Sequence, residues 1–334
     1  MEQSASEMLR RFVGGGETIL RAAELGAGHV NRTWRVETDA GVYICQRLSR
    51  DALSGAADAI AYNYLRYAEA CAAARDEYPD WTFPRWLRTE DGGVLLRDGA
   101  GDVWRAYPML RGRTYRSGAG LPDGVIRQFA RGLAVLHRVL DRYPAPPKTV
   151  IPHFHDLAHE YAAFRALTDS ARAVPAVNER IERDMRDLAR ALPLRRDAVV
   201  HADTRIGNAI FDGNGRVIAF IDTDTISTGC RLLDVADGVR SVSCVREADG
   251  SGRFDRRAYD VFVDALAASP CRTLSDAELD AVPDALLRVS FELGLRYYTD
   301  YLRGNVHFRV REPEEALRRA QGQFALTDAI RAAF

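Results

Sequence analysis

His201, Asp203 and Asn208 stand in the spacing H-x-D-x-x-x-x-N, and Ile221-Asp222-Thr223-Asp224 follows them. An aspartate and an asparagine on one loop, with a second acidic site one hairpin later, are the parts that phosphoryl transfer from ATP requires. One aspartate takes or orients the proton of the attacking hydroxyl; the asparagine and a later aspartate hold magnesium on the phosphates. The elements that must position them can be read between the two motifs. Ala209-Ile210-Phe211 is a short apolar strand, Asp212-Gly213-Asn214-Gly215 a strong turn signal, and residues 216–221 a returning strand. A hairpin of that size brings Asp222 back beside Asn208. The plain alternative is a polar turn between two strands.

Composition narrows the setting. The chain has 334 residues, enough for one large core or two lobes of unequal size, and its net charge of −1 argues for no nucleic-acid or acidic-membrane partner. No apolar run approaches a membrane span, and the N-terminus has neither a basic start nor an apolar signal core, so a cytoplasmic protein is expected. Cys45, Cys71, Cys230, Cys244 and Cys271 are scattered and odd in number, which fits reduced thiols and neither a disulfide frame nor a zinc cage. Of the 46 basic residues, only Lys148 is a lysine. A kinase normally holds the α- and β-phosphates with a lysine of its third strand. Lys148 lies far past any N-terminal sheet, so an arginine or a backbone site must take that part.

The rest of the chain supplies a frame for the loop. Residues 4–13 read as an amphipathic helix, and Gly14-Gly15-Gly16 as a plain linker, because no G-K-[ST] follows. Strands are predicted over 19–25, 33–37 and 42–48, with a glycine turn at Gly26-Ala27-Gly28-His29. Two strands joined by such a turn form the flap that covers ATP phosphates in kinase-like folds, which makes Gly28, His29 and Asn31 candidates for nucleotide contact. A helix is predicted over 56–75, and strands over 81–87, 94–97 and 102–110, the first interrupted by Pro84. The last strand carries Tyr107, Pro108 and Met109 into Arg111-Gly112-Arg113. That suits a hinge between lobes whose backbone could bond adenine; an ordinary edge strand is the alternative. Helices follow over 125–142, 155–168 and 177–192, then the hairpin, then helices to the end. His137 sits on an apolar stripe and reads as a packed core residue. His153, His155 and His159 lack the cysteine or acidic companions of a zinc site.

The order of glycine flap, helix, hinge, H-x-D-x-x-x-x-N and I-D-x-D resembles the aminoglycoside phosphotransferase and choline kinase superfamily. Several stretches look like bacterial N-acetylhexosamine 1-kinases: Gly28-His29-Val30-Asn31-Arg32-Thr33, Tyr43-Ile44-Cys45-Gln46-Arg47-Leu48, Ile151-Pro152-His153-Phe154-His155, Asp234-Val235-Ala236-Asp237 and Leu295-Arg296-Tyr297-Tyr298 among them. The resemblance implies an α+β, bilobal protein-kinase-like fold. A small N-terminal antiparallel sheet lobe (1–107) would bind nucleotide, and a larger, mainly helical lobe (108–334) would carry catalysis and acceptor binding. It further implies ATP- and Mg2+-dependent phosphorylation of the anomeric hydroxyl of an N-acetylhexosamine. Asp203 matches the catalytic base, Asn208 and Asp222 the magnesium ligands, Asp224 a second acidic position near sugar and metal, and Arg296 a substrate-contacting arginine. Asp300 and His307 fall in the same acceptor region, and a monomer or weak homodimer is expected.

The chain also departs from that pattern. Tyr62-Asn63-Tyr64 stands where a helix glutamate would pair with the phosphate-binding base. Strand alternation lets only one of Gln46 and Arg47 face ATP, and charge favours Arg47. Arg296 could instead form a salt bridge with Asp300 at i+4. His307 occupies a position where a sugar-contacting tyrosine is usual, and Thr228-Gly229-Cys230 replaces a more apolar turn. Altered acceptor positions beside an intact phosphoryl-transfer set suggest the same chemistry on a changed acceptor. Three alternatives stand: an aminoglycoside or nucleoside antibiotic phosphotransferase, a protein or lipid kinase, which would need an open cleft and not a closed sugar pocket, and a non-catalytic nucleotide-binding pseudokinase.

Overall fold

The computed structural model describes residues 2–25, 31–49, 53–118, 120–188, 192, 194–246, 251–308 and 310–334. The small lobe contains α1 (Glu2–Val13), β1 (Ile19–Leu25), β2 (Arg32–Thr38), β3 (Val42–Arg47), α2 (Ala57–Ala73), β4 (Leu96–Arg97) and β5 (Val103–Pro108). Its strands form one antiparallel sheet in the order β1-β2-β3-β5-β4. Alternation splits the sheet into two apolar faces. Trp34, Val36, Cys45, Trp104 and Ala106 bury Ala5, Met8, Leu9 and Phe12 of α1, while Ile44, Val103 and Tyr107 pack with Ile60 and Tyr64 of α2. Gly14 and Gly15 take positive φ, and the Gly15 N–H bonds the Arg10 carbonyl, so this triplet ends α1 and is more than a linker.

The large lobe runs through α3 (Asp123–Leu140), α4 (Leu157–Arg165), α5 (Pro175–Leu188), β6 (Ala198–Val200), β7 (Ala209–Phe211), β8 (Val217–Phe220) and β9 (Ser227–Gly229). It ends with α6 (Arg231–Ser243), β10 (Cys244–Arg246), β11 (Gly252–Phe254), α7 (Arg256–Ala267), α8 (Asp276–Asp280), α9 (Val282–Arg303) and α10 (Glu315–Arg331). Phe129, Leu133 and Leu136 of α3 meet Phe211 and Phe220 of the hairpin, Val235 and Val239 of α6, and Phe262 of α7. A second cluster joins Phe164, Ile181, Phe291, Leu295, Tyr298 and Phe324. Together they hold the β7–β8 hairpin on one side and the length of α9 on the other.

Most elements lie where the sequence places them. Residues 81–87 differ: they form no strand, because Pro84 removes a ladder donor and only isolated bonds remain, Thr82 N–H to Ile218 O and Leu87 N–H to Ala106 O. The run predicted over 94–97 contracts to Leu96–Arg97. Just after β5, Arg113 and Phe211 of β7 exchange both backbone bonds at 2.9 Å. Gly112 permits that approach, since a Cβ there would lie 2.6 Å from the Phe211 carbonyl oxygen and from Ile210 Cγ2. Gly132 does the same for α3 on β8, where a Cβ would meet Val217 Cβ at 2.4 Å.

Candidate active site

The hairpin β7–β8 closes as the turn chemistry requires, with Ala209 opposite Phe220. The Ile221 N–H donates to the Asn208 carbonyl at 2.8 Å, so Asp222 arrives beside Asn208. His201 supports the same end: its Nε2 lies 3.1 Å from the Ile221 carbonyl. The loop is held from below by Asp234 of α6, whose carboxylate accepts from the backbone N–H groups of His201 (3.0 Å) and Ala202 (2.7 Å) and meets His137 Nε2 at 3.2 Å. Burial alone would raise the Asp234 carboxyl, yet the bond and charge of His137 hold it below the usual carboxylate range. His137 is therefore a core histidine with polar work, its other nitrogen meeting Thr273 Oγ1 at 3.1 Å. The Asp234 motif is visible in the sequence, but its place under the loop depends on how α6 packs.

Asp203 projects from this loop into the cleft. Asn208 Nδ2 donates to its carboxylate at 2.9 Å, and Arg205 makes a two-pronged pair with it, Nε at 2.7 Å and Nη2 at 3.0 Å. Burial would raise the Asp203 carboxyl, but Arg205 and Asn208 bring it down to about 2, so it stays ionised. Asp222 is exposed at the cleft floor in a left-handed conformation, φ 63°. The surrounding protein and the Asp224 and Asp203 carboxylates push its carboxyl up to about 7. The Asn208 amide nitrogen is committed to Asp203, which leaves its oxygen for a cation. Asn208 and Asp222 thus offer the hard oxygen donors magnesium prefers, and the unrelieved charge at Asp222 is what a divalent ion would relieve.

Several candidate residues are placed differently. Arg47 lies opposite Trp104, on the α1 face of the sheet, and pairs with Asp102 at 3.0 Å; it does not face the cleft. Gln46 has the cleft face, opposite Arg105 in register. Asp224 is only 3% exposed, and both its oxygens are taken by a bidentate pair with Arg105, with Asn31 Nδ2 adding a bond at 3.1 Å, so its carboxylate is not open to an acceptor. Asn31 also accepts the Ser49 N–H at 3.1 Å and so ties the end of the flap to the cleft wall. Gly28 and His29 lie outside the described residues. Tyr107 faces the recess with Gln46, whereas Met109 is exposed and its N–H is spent on the Val42 carbonyl at 2.8 Å. Its backbone donor is thus not available to adenine.

On the other side of the 201–208 loop, Arg296 of α9 stacks over Phe154 (5.0 Å) and Phe308 (5.8 Å), and its nearest carboxylate is Glu160 at 3.9 Å, not Asp300. Asp300 is buried and accepts the N–H groups of Val306 (3.0 Å), His307 (2.9 Å) and Phe308 (3.0 Å), so it shapes the turn after α9 and cannot meet a substrate. His307 itself is exposed on that turn. His155 bridges α9 to the loop, Nδ1 to Glu292 at 3.1 Å and Nε2 to the Ala202 carbonyl at 3.0 Å. His153 and His159 stack on each other at 4.0 Å. No group of three or more His, Cys, Asp or Glu residues suited to a metal occurs among the described residues.

Residues 21–274 match the family model described as the phosphotransferase enzyme family. The chain belongs to that family. Its fold is shared with solved structures of low sequence identity. A microcompartment-associated aminopropanol kinase is 19% identical with a TM-score of 0.62, over 99% of this chain and 97% of that one. A GDP complex of an aminoglycoside 2'-phosphotransferase is 14% identical with a TM-score of 0.62, over 100% and 98%. A type I macrolide 2'-phosphotransferase is 16% identical with a TM-score of 0.59, over 98% and 97%. This phosphotransferase therefore has the bilobal kinase-like architecture that its motifs imply. No helix among the described residues is long and apolar enough to cross a membrane.

Proposed function

We propose that the chain transfers the γ-phosphoryl group of ATP to a sugar hydroxyl, the anomeric hydroxyl of an N-acetylhexosamine or a close relative. The observation that carries the reading is the convergence of Asp203, Asn208 and Asp222 at one end of a two-stranded hairpin, open to the cleft. In this reading residues 1–107 hold the nucleotide and 108–334 supply catalysis and acceptor binding. Asn208 and Asp222 would hold magnesium, which when bound neutralises charge on the phosphates. Asp203 orients the acceptor hydroxyl and receives its proton. A carboxylate held near 2 is a weak base, which suits a reaction whose transition state asks mostly for positioning and charge neutralisation. The sugar assignment draws support from Arg296 between two aromatic rings, a surface on which a pyranose ring can stack while the guanidinium bonds its hydroxyls. The free thiols fit a reducing cytoplasm.

One observation favours a second acceptor class. Glu160 lies beside Arg296, where a carboxylate could receive the ammonium group of an amino-sugar antibiotic or an amino alcohol. The relatives of known structure include kinases of both kinds. Magnesium-dependent ATP consumption across a panel of N-acetylhexosamines, aminoglycosides and amino alcohols separates the readings, with phosphorus NMR locating the new phosphate. An anomeric phosphate on an N-acetylhexosamine is the expected product. Turnover only with amine-bearing acceptors would reject the sugar assignment, and tight ATP binding with no turnover on any acceptor would leave a pseudokinase.

A further inference from the structure

A kinase without a strand lysine must find another cation for its phosphates, and the small lobe holds one. Lys148 is not that cation: its Nζ sits 4.6 Å above the Tyr62 ring on α2, and its backbone is bonded to Asn63. Arg47 is turned to the α1 face. On the cleft face of the sheet, Gln46 of β3 stands next to Arg105 of β5, and with Trp86, Tyr107 and Asp222 they line a small recess. Arg105 is 2% exposed. Its guanidinium lies over Trp86 at 4.5 Å, donates Nε–H to Gln46 Oε1 at 2.8 Å, and uses one N–H of each terminal nitrogen on Asp224. A guanidinium has five N–H donors, so two remain.

The support beneath Arg105 is as particular as its position. Trp86 lies parallel to Tyr64 of α2 at 3.9 Å, and its backbone N–H donates to the Tyr64 hydroxyl at 2.7 Å. A conventional arrangement would have a helix glutamate holding a strand lysine. Here α2 offers a tyrosine ring, the ring carries a tryptophan, and the tryptophan carries an arginine. Asp224 completes the set as counter-ion, which a cation this deeply buried requires. Burial would lower the Arg105 pKa, and the Asp224 charge more than restores it.

We propose that Arg105 is the phosphate-binding cation of this enzyme, supplied from β5, carried on the Tyr64–Trp86 stack and aimed by Asp224. The proposal rests on the ATP reading above. With its inner edge on Asp224 and its Nε on Gln46, the guanidinium keeps one outward N–H on each terminal nitrogen, and each can meet a phosphate oxygen while the counter-ion stays in place.

Nucleotide binding tests this without any acceptor. Calorimetric affinities for ATP and for adenosine are compared in the wild-type chain, Arg105→Met and Arg105→Met/Gln46→Lys. The expected result is a loss of about tenfold or more in ATP affinity for Arg105→Met, with adenosine affinity unchanged within about twofold. Gln46→Lys in that background should recover most of the loss, because position 46 faces the same recess from the adjacent strand. Equal losses for ATP and adenosine would mean that Arg105 only holds the cleft together, and would overturn the proposal; so would an unchanged ATP affinity. Should Arg105→Met fail to fold with Asp224 left unpaired, Arg105→Met/Asp224→Asn removes both charges and serves the same comparison. A wild-type chain that binds adenosine and ATP equally weakly would sink the kinase reading and this assignment with it.

Discussion

His155 donates a hydrogen bond to the carbonyl oxygen of Ala202, the residue before Asp203, while its other ring nitrogen donates to Glu292. A carbonyl and a carboxylate can only accept, so the ring satisfies both by carrying two protons. Burial would lower its pKa, but Glu292 raises it from 6.5 to about 8. Ala202 has a φ of 65°, a conformation that costs a non-glycine residue energy and that the His155 bond helps to hold.

A pH dependence follows from that pair. A histidine whose pKa rises on folding contributes its full stabilisation below pH 6.5, and loses it as pH climbs through 8. The interval is worth about 2 kcal/mol. Thermal melts of the wild-type chain should therefore fall between pH 6.5 and 9 by more than those of His155→Gln. Parallel curves for the two proteins would show that the ring is neutral throughout.

Asp203→Asn keeps the shape of the loop and removes the acceptor of the hydroxyl proton. Turnover should drop by about three orders of magnitude, within the range for a lost general base, while ATP affinity stays within a few-fold. Retention of more than about a tenth of the wild-type rate would contradict the base assignment. The same substitution releases Arg205, so any change in nucleotide affinity should be a gain.

The sequence made the hairpin and its two motifs readable because the turn residues 212–215 leave only one way for the strands to pair. Asp203, Asn208 and Asp222 meet through bonds that run within 25 residues of chain. What stayed hidden depends on contacts between distant elements. Arg105 is one of many arginines until the β3–β5 register sets it beside Gln46 and α2 sets Trp86 beneath it. Arg47 has the charge expected of a phosphate ligand, but its place in the alternation sends it to Asp102. Asp300 lies at the i+4 position from Arg296, which suggests a salt bridge. Gly304 then ends α9 in the left-handed conformation, and the chain turns its next N–H groups onto that carboxylate instead.

Asp234 is the anchor of the 201–208 loop, and its loss should be felt in stability before chemistry. Asp234→Ala leaves the buried N–H groups of His201 and Ala202 without an acceptor and removes the partner of His137. The expected cost is about 3 kcal/mol, the size seen when one member of a buried charged pair is deleted. Urea denaturation would measure it. A change below about 1 kcal/mol would mean that water or another group replaces the carboxylate without strain.

Asp300 should separate acceptor from nucleotide. Its carboxylate gathers the N–H groups of 306–308, and that turn holds Phe308 against Tyr297 (4.5 Å) and under Arg296. Asp300→Ala frees the turn, so the aromatic wall beside Arg296 loses its place while β3, β5 and the hairpin are untouched. The KM for the acceptor should rise about tenfold with the KM for ATP unchanged, a loss of binding of about 1.4 kcal/mol. Phe308→Ala, which deletes the ring and leaves the turn intact, should reproduce most of that rise. If Asp300→Ala raised both KM values alike, the turn would serve the whole fold and not the acceptor wall; if Phe308→Ala left the acceptor KM unchanged, the site of acceptor binding would lie away from Arg296.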